Sequence, residues 1–461
     1  MCQGINRELE GVDLGDKRLN QRAQDLLVSL AANPSASINS AVDGWTDTLA
    51  AYRFFDNPNV DAEEILAAHR QAADDRIAEQ DVVLIVQDTT ELDYTRHPTK
   101  DSGVLDKEHR FGLYDHSHLA FTPEGLCLGV LAVEFFDRTA ESLGKTRERK
   151  YDPIETKESY RWLQGYRLAC ELAVRHPTTR IVSVADCECD IYEIFTEYSN
   201  QETPADFVIR AKQDRRSTEL DSDAGGKVYK KVRDEVAATE KLITREVYLP
   251  DTPKREARTA QLEIRAKTVV VKPPHMRETL GTVQYQLVLV QEVGRPDDDD
   301  TAVDWLLITT LPIDSVEAVL RVVDYYVGRW PIEVFFRVFK TGCRVEEIQL
   351  ETNARLKRCL MFYKAIAWRI MYLTFFGREF PDLPCDQMFA DYEWKPVWKI
   401  TSKEPLPEEA PPLSEFIPLL ARLGGYNNRK HDHPPGTQSI WVGIRRMTDF
   451  ALAWKSFGPP G

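Results

Sequence analysis

The chain has 461 residues, 43% hydrophobic and 29% charged, an ordinary balance for a soluble globular protein with ample core and room for roughly two or three domains. Lys and Arg number 59 against 74 Asp and Glu, and the net charge of −15 by itself argues against nucleic-acid binding, which runs on cations. Eight scattered cysteines read as free thiols of a reducing cytoplasm, and no membrane-length apolar run or signal-peptide pattern is seen.

In chain order, the first 80 or so residues read as helical. An amphipathic helix covers Arg18–Leu30, Thr46-Asp47-Thr48 can cap a helix containing Ala51–Phe55, and Asn57-Pro58-Asn59 breaks it before another helix begins at Asp61. With Lys17, Arg18, Arg22 and Arg53 this suits a small DNA-binding module or a plain helical cap. The pattern then changes. Asp81–Gln87 is a continuous apolar run that ends in Asp88, as expected of a strand buried on both faces of an α/β sheet. Leu119–Phe121 and Leu126–Phe136 flank a Pro-Glu-Gly turn and read as a hairpin. After a helix over Ser159–Val174, Arg180–Ala185 is a second buried strand, and it too ends in an acid, Asp186.

A helix over Ile191–Tyr198 and a strand over Asp206–Ala211 follow. Residues 212 to about 300 alternate polar and apolar residues and read as an inserted antiparallel β subdomain. Trp305–Thr309 returns to the buried-strand pattern, Asp314–Val327 is helical, and Arg355–Phe376 is a long apolar helix. Pro381–Pro412 is Pro-rich and polar, and the tail from Leu413 carries two or three helices. Basic residues gather at Lys145–Lys150, Arg210–Arg216, Lys227–Arg233, Lys254–Lys267 and Arg429–Arg446, while acids gather at Asp297–Asp300. Such segregation allows a basic groove on an acidic protein, although charge runs are more often solvated faces. Cys187 and Cys189 form a C-x-C pair with no second pair at zinc-site spacing, so they read as incidental.

The stretch Asp324–Lys340 carries the most chemistry. Trp330 before Pro331 marks a break, and Pro331 opens a helix on which Glu333, Arg337 and Lys340 share one face, with Tyr326 and Arg329 just upstream. Two readings stand for that face: a solvated salt-bridged surface, or a carboxylate set among cations for work beside a phosphate backbone. The flanking Val334, Phe335, Phe336, Val338 and Phe339 leave little arc for solvent. Asp88, Asp186 and Glu333 together supply the oxygen ligands that two Mg²⁺ ions want, whereas each alone also reads as a turn, cap or surface acid.

These residues resemble the DDE transposases of the bacterial insertion-sequence type. The spacing Tyr326-x(2)-Arg329-x(3)-Glu333-x(6)-Lys340 matches the Y-R-E-K signature of their cut-and-paste group. Gln87-Asp88-Thr89-Thr90 looks like the first-acid motif, and Asp186 with Glu188, Asp190 and Ile191 like the second. Ala51–Phe54 with Asn57-Pro58-Asn59, and Ala421–Gly425, look like the family's terminal domains, so the resemblance spans nearly the whole chain.

The resemblance implies an α/β fold: a ribonuclease-H-like catalytic core over 79–378 with a β insertion at about 212–300. A helical DNA-binding domain over 1–78 and a helical dimerisation domain over 379–461 would flank it. It implies catalysis by Asp88, Asp186 and Glu333 holding two Mg²⁺ (Mn²⁺ substituting). It also implies DNA contacts by Tyr326, Arg329 and Lys340 at phosphates, Trp305 stacking a flipped base, Trp330 filling the gap, and Arg210 and Lys212 at the backbone. The implied partners are double-stranded transposon ends, target DNA and a second copy in a synaptic homodimer, with no membrane and no nucleotide cofactor, in a bacterial cytoplasm and on the nucleoid when DNA-bound. The implied reaction is nicking, hairpin formation and resolution, then strand transfer. Cys187 stands where the family usually has arginine after the second acid, and Pro331 where its best-known member has arginine. Three other readings fit fewer of these residues: an idle DNA-binding inhibitor of transposition, a two-metal nuclease that leaves Tyr326, Arg329 and Trp305 without a role, and a glycoside hydrolase using Asp88 and Glu91.

Overall fold

The computed structural model describes residues 4–106, 109–139, 152–221, 228–249, 255–294, 301–429 and 433–457. The basic run at 145–150 and the acidic run at 297–300 lie outside the described residues, as do 227 and 254. The chain is a mixed α/β protein that divides into two compact units. One comprises Met1–Glu79, Thr89–Gly144 and Pro331–Gly461, and the other Gln80–Asp88 and Lys145–Trp330. The division falls inside one strand, β1 (Val82–Asp93), between Asp88 and Thr89.

The first unit begins with four helices, α1 (Lys17–Ala32), α2 (Ile38–Ala41), α3 (Gly44–Asp56) and α4 (Ala62–Ala78). Asp16 caps α1 by accepting from the Arg18 N–H at 2.7 Å, and Asp61 caps α4 by accepting from the Glu63 N–H at 2.9 Å. The helix over Ala51–Phe55 begins at Gly44, earlier than the Thr46–Thr48 cap expected from sequence, so those three residues lie in its first turns. The second half of β1 sits with β2 (Gly103–Val104), β3 (Phe111–Phe121) and β4 (Cys127–Phe136), the last two forming the expected hairpin. Gly125 turns that hairpin at φ 96°, a conformation that suits glycine because it has no Cβ.

Later in the chain this unit holds α9 (Pro331–Arg337), α10 (Asn353–Glu379), α11 (Asp391–Thr401), α12 (Leu413–Leu423) and α13 (Thr437–Phe457). Helix α11 falls within the stretch that reads from sequence as Pro-rich and polar, and Trp394, Val397 and Trp398 bury its apolar face. Helix α10 is long and apolar enough to cross a membrane, yet 83% of its apolar window is buried inside the fold. Its partners are α1, α3, α4, β4, α12 and α13.

A buried polar node joins these pieces. Nδ1 of His69 lies 2.6 Å from a Glu8 carboxylate oxygen, while its Nε2 accepts from the Val130 N–H at 3.0 Å, so the ring is neutral with its proton on Nδ1. Arg76 bonds Glu8 through two nitrogens, donates to the Leu128 carbonyl and lies 4.2 Å from the Trp368 ring centre. Burial would raise the Glu8 carboxyl, but His69 and Arg76 outweigh it and hold the group at about 2.

The second unit holds the first half of β1, α5 (Tyr160–Arg175), β5 (Arg180–Ala185), α6 (Tyr192–Asn200), β6 (Asp206–Arg210), β7 (Arg216–Asp221), β8 (Val228–Lys231), α7 (Val232–Ala237), β9 (Ile243–Leu249), β10 (Arg258–Val271), β11 (Val283–Glu292), β12 (Asp304–Thr309) and α8 (Val316–Val327). Its sheet runs β1-β5-β6-β12-β11-β10-β7-β8, with β9 on β10. The first three strands are parallel, and the rest of the order is antiparallel from β6 onward. The inserted segment is antiparallel as expected, but it does not fold apart: β11 pairs with β12 along its length and continues the sheet. The insertion also contains a helix, α7, that the alternating pattern had not indicated. The seven cysteines among the described residues are all free, Cys187 and Cys189 included.

Candidate functional site

Residues of the second unit converge where β1 and β5 leave their shared ladder. The register pairs Val86 with Val184, so Asp88 and Asp186 stand two residues beyond that pair on neighbouring parallel strands. Adjacent strands lie about 4.8 Å apart, so the two residues stand at neighbouring positions of the sheet. The strand ends are not alike. Sequence put Asp88 at the end of β1, but β1 continues to Asp93, so Asp88 is internal to a 12-residue strand. Asp186 does end its strand and caps the short turn Cys187–Cys189, accepting from the Glu188 N–H at 2.8 Å.

The cations come from two directions. Helix α8 is capped at its start by Ser315, whose hydroxyl accepts from the Ala318 N–H, and closes at Gly328 against β1. A Cβ at Gly328 would meet Leu84 Cδ1 at 2.7 Å, so the glycine permits the helix end to approach the strand. The next residue, Arg329, reaches Asp88, its Nη1 donating to Oδ2 at 2.8 Å. From β6, Arg210 reaches Tyr326. Burial pushes the Tyr326 hydroxyl up, Arg210 and Arg329 pull it down, and Asp186 pushes it up, so all four groups share one field. Burial and Asp186 raise the Cys187 thiol, while Lys212 and Arg210 lower it, which brings Lys212 into the same neighbourhood.

Trp305 is half-buried on β12, its ring meeting that of Tyr326 edge-on at 5.1 Å and 65°. Trp330 is 58% exposed in the break before Pro331.

Two residues beneath the site were not singled out as functional from sequence. Asp190 accepts from the Lys212 and Gln213 N–H groups at 2.8 and 2.7 Å, and also from Arg215, a side chain nearly as buried as its own. This pins the entry to the insertion against the turn that follows Asp186. Asp190 was visible within the second acid motif and Arg215 within the basic run Arg210–Arg216, but nothing local in the sequence pairs them.

In the first unit, Pro331 opens α9 as expected, and Glu333 sits in its first turn, half-buried. The unbroken helix expected to carry Glu333, Arg337 and Lys340 stops short of Lys340. Helix α9 ends at Arg337 and Val338–Gly342 is a π turn, closed by a Cys343 N–H to Val338 carbonyl bond of 2.8 Å. Lys340 lies in that wider turn, where its Nζ donates to the Glu91 carbonyl at 2.7 Å and lies 3.3 Å from Glu346. Among the described residues, no group of three His, Cys, Asp or Glu side chains is closed around a metal-sized site. The oxygen-only pair Asp88 and Asp186 nevertheless suits a hard divalent ion, and the Arg329 guanidinium beside it is a positive charge of the kind that such an ion would supply.

Comparison with known proteins matches residues 1–60 to the transposase DNA-binding family and residues 365–455 to the Tn5 transposase dimerisation domain. Among solved structures, a cryo-EM synaptic complex of piggyBac transposase with hairpin DNA aligns with a TM-score of 0.32 at 10% identity. That alignment covers 84% of this chain and 61% of the piggyBac chain.

Proposed function

We propose, on the premise that this chain is a Tn5-like transposase, that it is a DNA transposase whose acids Asp88, Asp186 and Glu333 hold divalent metal at the end of its element. The observation that carries this reading is the Val86 to Val184 register, which sets Asp88 beside Asp186 with Arg329 and Tyr326 facing them. Mg²⁺ is the preferred ion, because the donors are carboxylates. When bound, two such ions supply charge for both the attacking and the leaving oxygen of a phosphoryl transfer.

The chain's own residues do the rest. Arg329 is a rigid fork suited to a phosphate, and in the protein without DNA it neutralises Asp88 instead. Tyr326 and Lys340 bind further phosphates, and Arg210 and Lys212 line the backbone path. Trp305, held edge-on by Tyr326, stacks a base flipped from the duplex while the freed 3′-hydroxyl attacks the opposite strand to form a hairpin. Exposed Trp330 fills the gap left in the stack. The terminal domains bind the element's ends and pair two copies of the chain into one synaptic complex, active on the nucleoid.

The test is cleavage of DNA carrying the ends of the host element, with Mg²⁺ or Mn²⁺, by wild type and Glu333→Gln. Nicks and hairpins from wild type alone would support the proposal. Nicking without hairpins would keep a two-metal nuclease and remove the role of Trp305. Specific binding without metal-dependent cleavage would leave an idle DNA-binding inhibitor.

A further inference from the structure

Inside the first unit, Lys364 of α10 is fully buried, and so is its partner Asp115 of β3. Its Nζ donates to an Asp115 carboxylate oxygen and to the Ser117 hydroxyl, the latter at 2.8 Å. Aromatic rings enclose the same ammonium. Phe339 lies 4.1 Å from it to the ring centre, Phe335 5.3 Å, Phe336 5.6 Å and Phe135 5.9 Å. Three of those rings belong to the segment that carries Glu333 and Lys340 and that changes from α to π at residue 338.

An aliphatic side chain could fill this space, but it would accept the rings at many angles. An ammonium attracts ring faces, and two of its donors are already fixed on β3, so it selects one rotation of the aromatic segment. Burial pulls the Lys364 ammonium down and Asp115 pulls it back up.

We propose that Lys364 is a positioning residue: clamped by Asp115 and Ser117, it holds the faces of Phe335, Phe336 and Phe339 and so fixes the α-to-π register that orients Glu333 and Lys340. Its consequence for catalysis rests on the proposed function, and its structural part does not.

The test uses the full chain and two variants. Asp115→Leu/Lys364→Met replaces the buried ion pair by apolar groups of similar size, a change that buried pairs often tolerate without loss of stability. Phe339→Leu keeps the pair and removes the nearest ring. In both, amide exchange across residues 331–342 should accelerate by about tenfold or more while α10 keeps its protection. The nicking rate at saturating metal should fall by more than the affinity for DNA ends. Unchanged exchange across 331–342 overturns the clamp, whatever happens to nicking. Faster exchange with undiminished nicking overturns its part in orienting Glu333 and Lys340. Faster exchange in a protein whose wild type cuts no DNA keeps the clamp and removes the transposase reading.

Discussion

Arg329 donates from Nη1 to Oδ2 of Asp88 across 2.8 Å, joining the turn after α8 to β1 with 14% and 18% of the two side chains exposed. The arrangement keeps a phosphate-binding fork beside the first acid. Replacing Arg329 by Ala should therefore slow nicking by about tenfold or more, since a hydrogen bond to a charged group is worth about 1.5–3 kcal/mol. Arg329→Lys should recover only part of the rate, because an ammonium cannot make the planar two-point contact. Single-turnover nicking at fixed metal concentration measures both, and equal rates for wild type and Arg329→Ala would remove Arg329 from the site.

The two strand acids should differ in stability though not in activity. Asp88→Asn removes the negative charge that the Arg329 guanidinium bonds, and should cost about 1–3 kcal/mol. Asp186→Asn keeps an oxygen that can accept from the Glu188 N–H and should cost about 0.5 kcal/mol or less. Both should abolish nicking while leaving DNA binding in place. Urea midpoints beside a gel-shift titration decide it, and an equally large loss for both acids would contradict the geometry.

For Trp305, stacking on a flipped base is worth about 1–3 kcal/mol. Trp305→Ala should leave first-strand nicking near wild type and slow hairpin formation by roughly 5- to 150-fold. Trp305→Phe should fall between them. Time courses that resolve nicked from hairpinned ends separate the two steps, and a uniform slowing of both would point to Trp305 as a core residue of β12 instead.

His118 supplies a pH dependence. Burial lowers its ring to about 4 from an ordinary 6.5, against the Ala132 backbone, which pulls it up. The folded protein thus binds this proton less readily than the unfolded chain. The stability concerned is full above 6.5 and is lost progressively as the pH falls from 6.5 to about 4, by about 3 kcal/mol in all. His69, also lowered by burial although Glu8 opposes it, acts in the same direction. Urea unfolding at several pH values should show this decline, and His118→Phe should flatten it. An unchanged slope in the variant would assign the decline to other groups.

Much of this molecule could be read one segment at a time. The uninterrupted apolar runs before Asp88 and Asp186 gave buried strands, and Trp330-Pro331 gave the helix break, because strand burial and proline sterics act within a few residues. The hairpin through Gly125 and helix α10 were legible for the same reason. Local pattern erred where a neighbour elsewhere in the chain decides. Strand β1 runs past Asp88, and α9 yields to a π turn closed by Cys343.

The sequence by itself determined which residues are available: three acids, the Tyr, Arg and Lys spaced around Glu333, and the strands and helices that bear them. Only the tertiary structure decided that Asp88 lies beside Asp186, that Arg329 selects Asp88, and that Lys364 meets Asp115 across 249 positions. Strand register and the partner of a buried charge are set by what else can be desolvated together, and that depends on how distant segments pack.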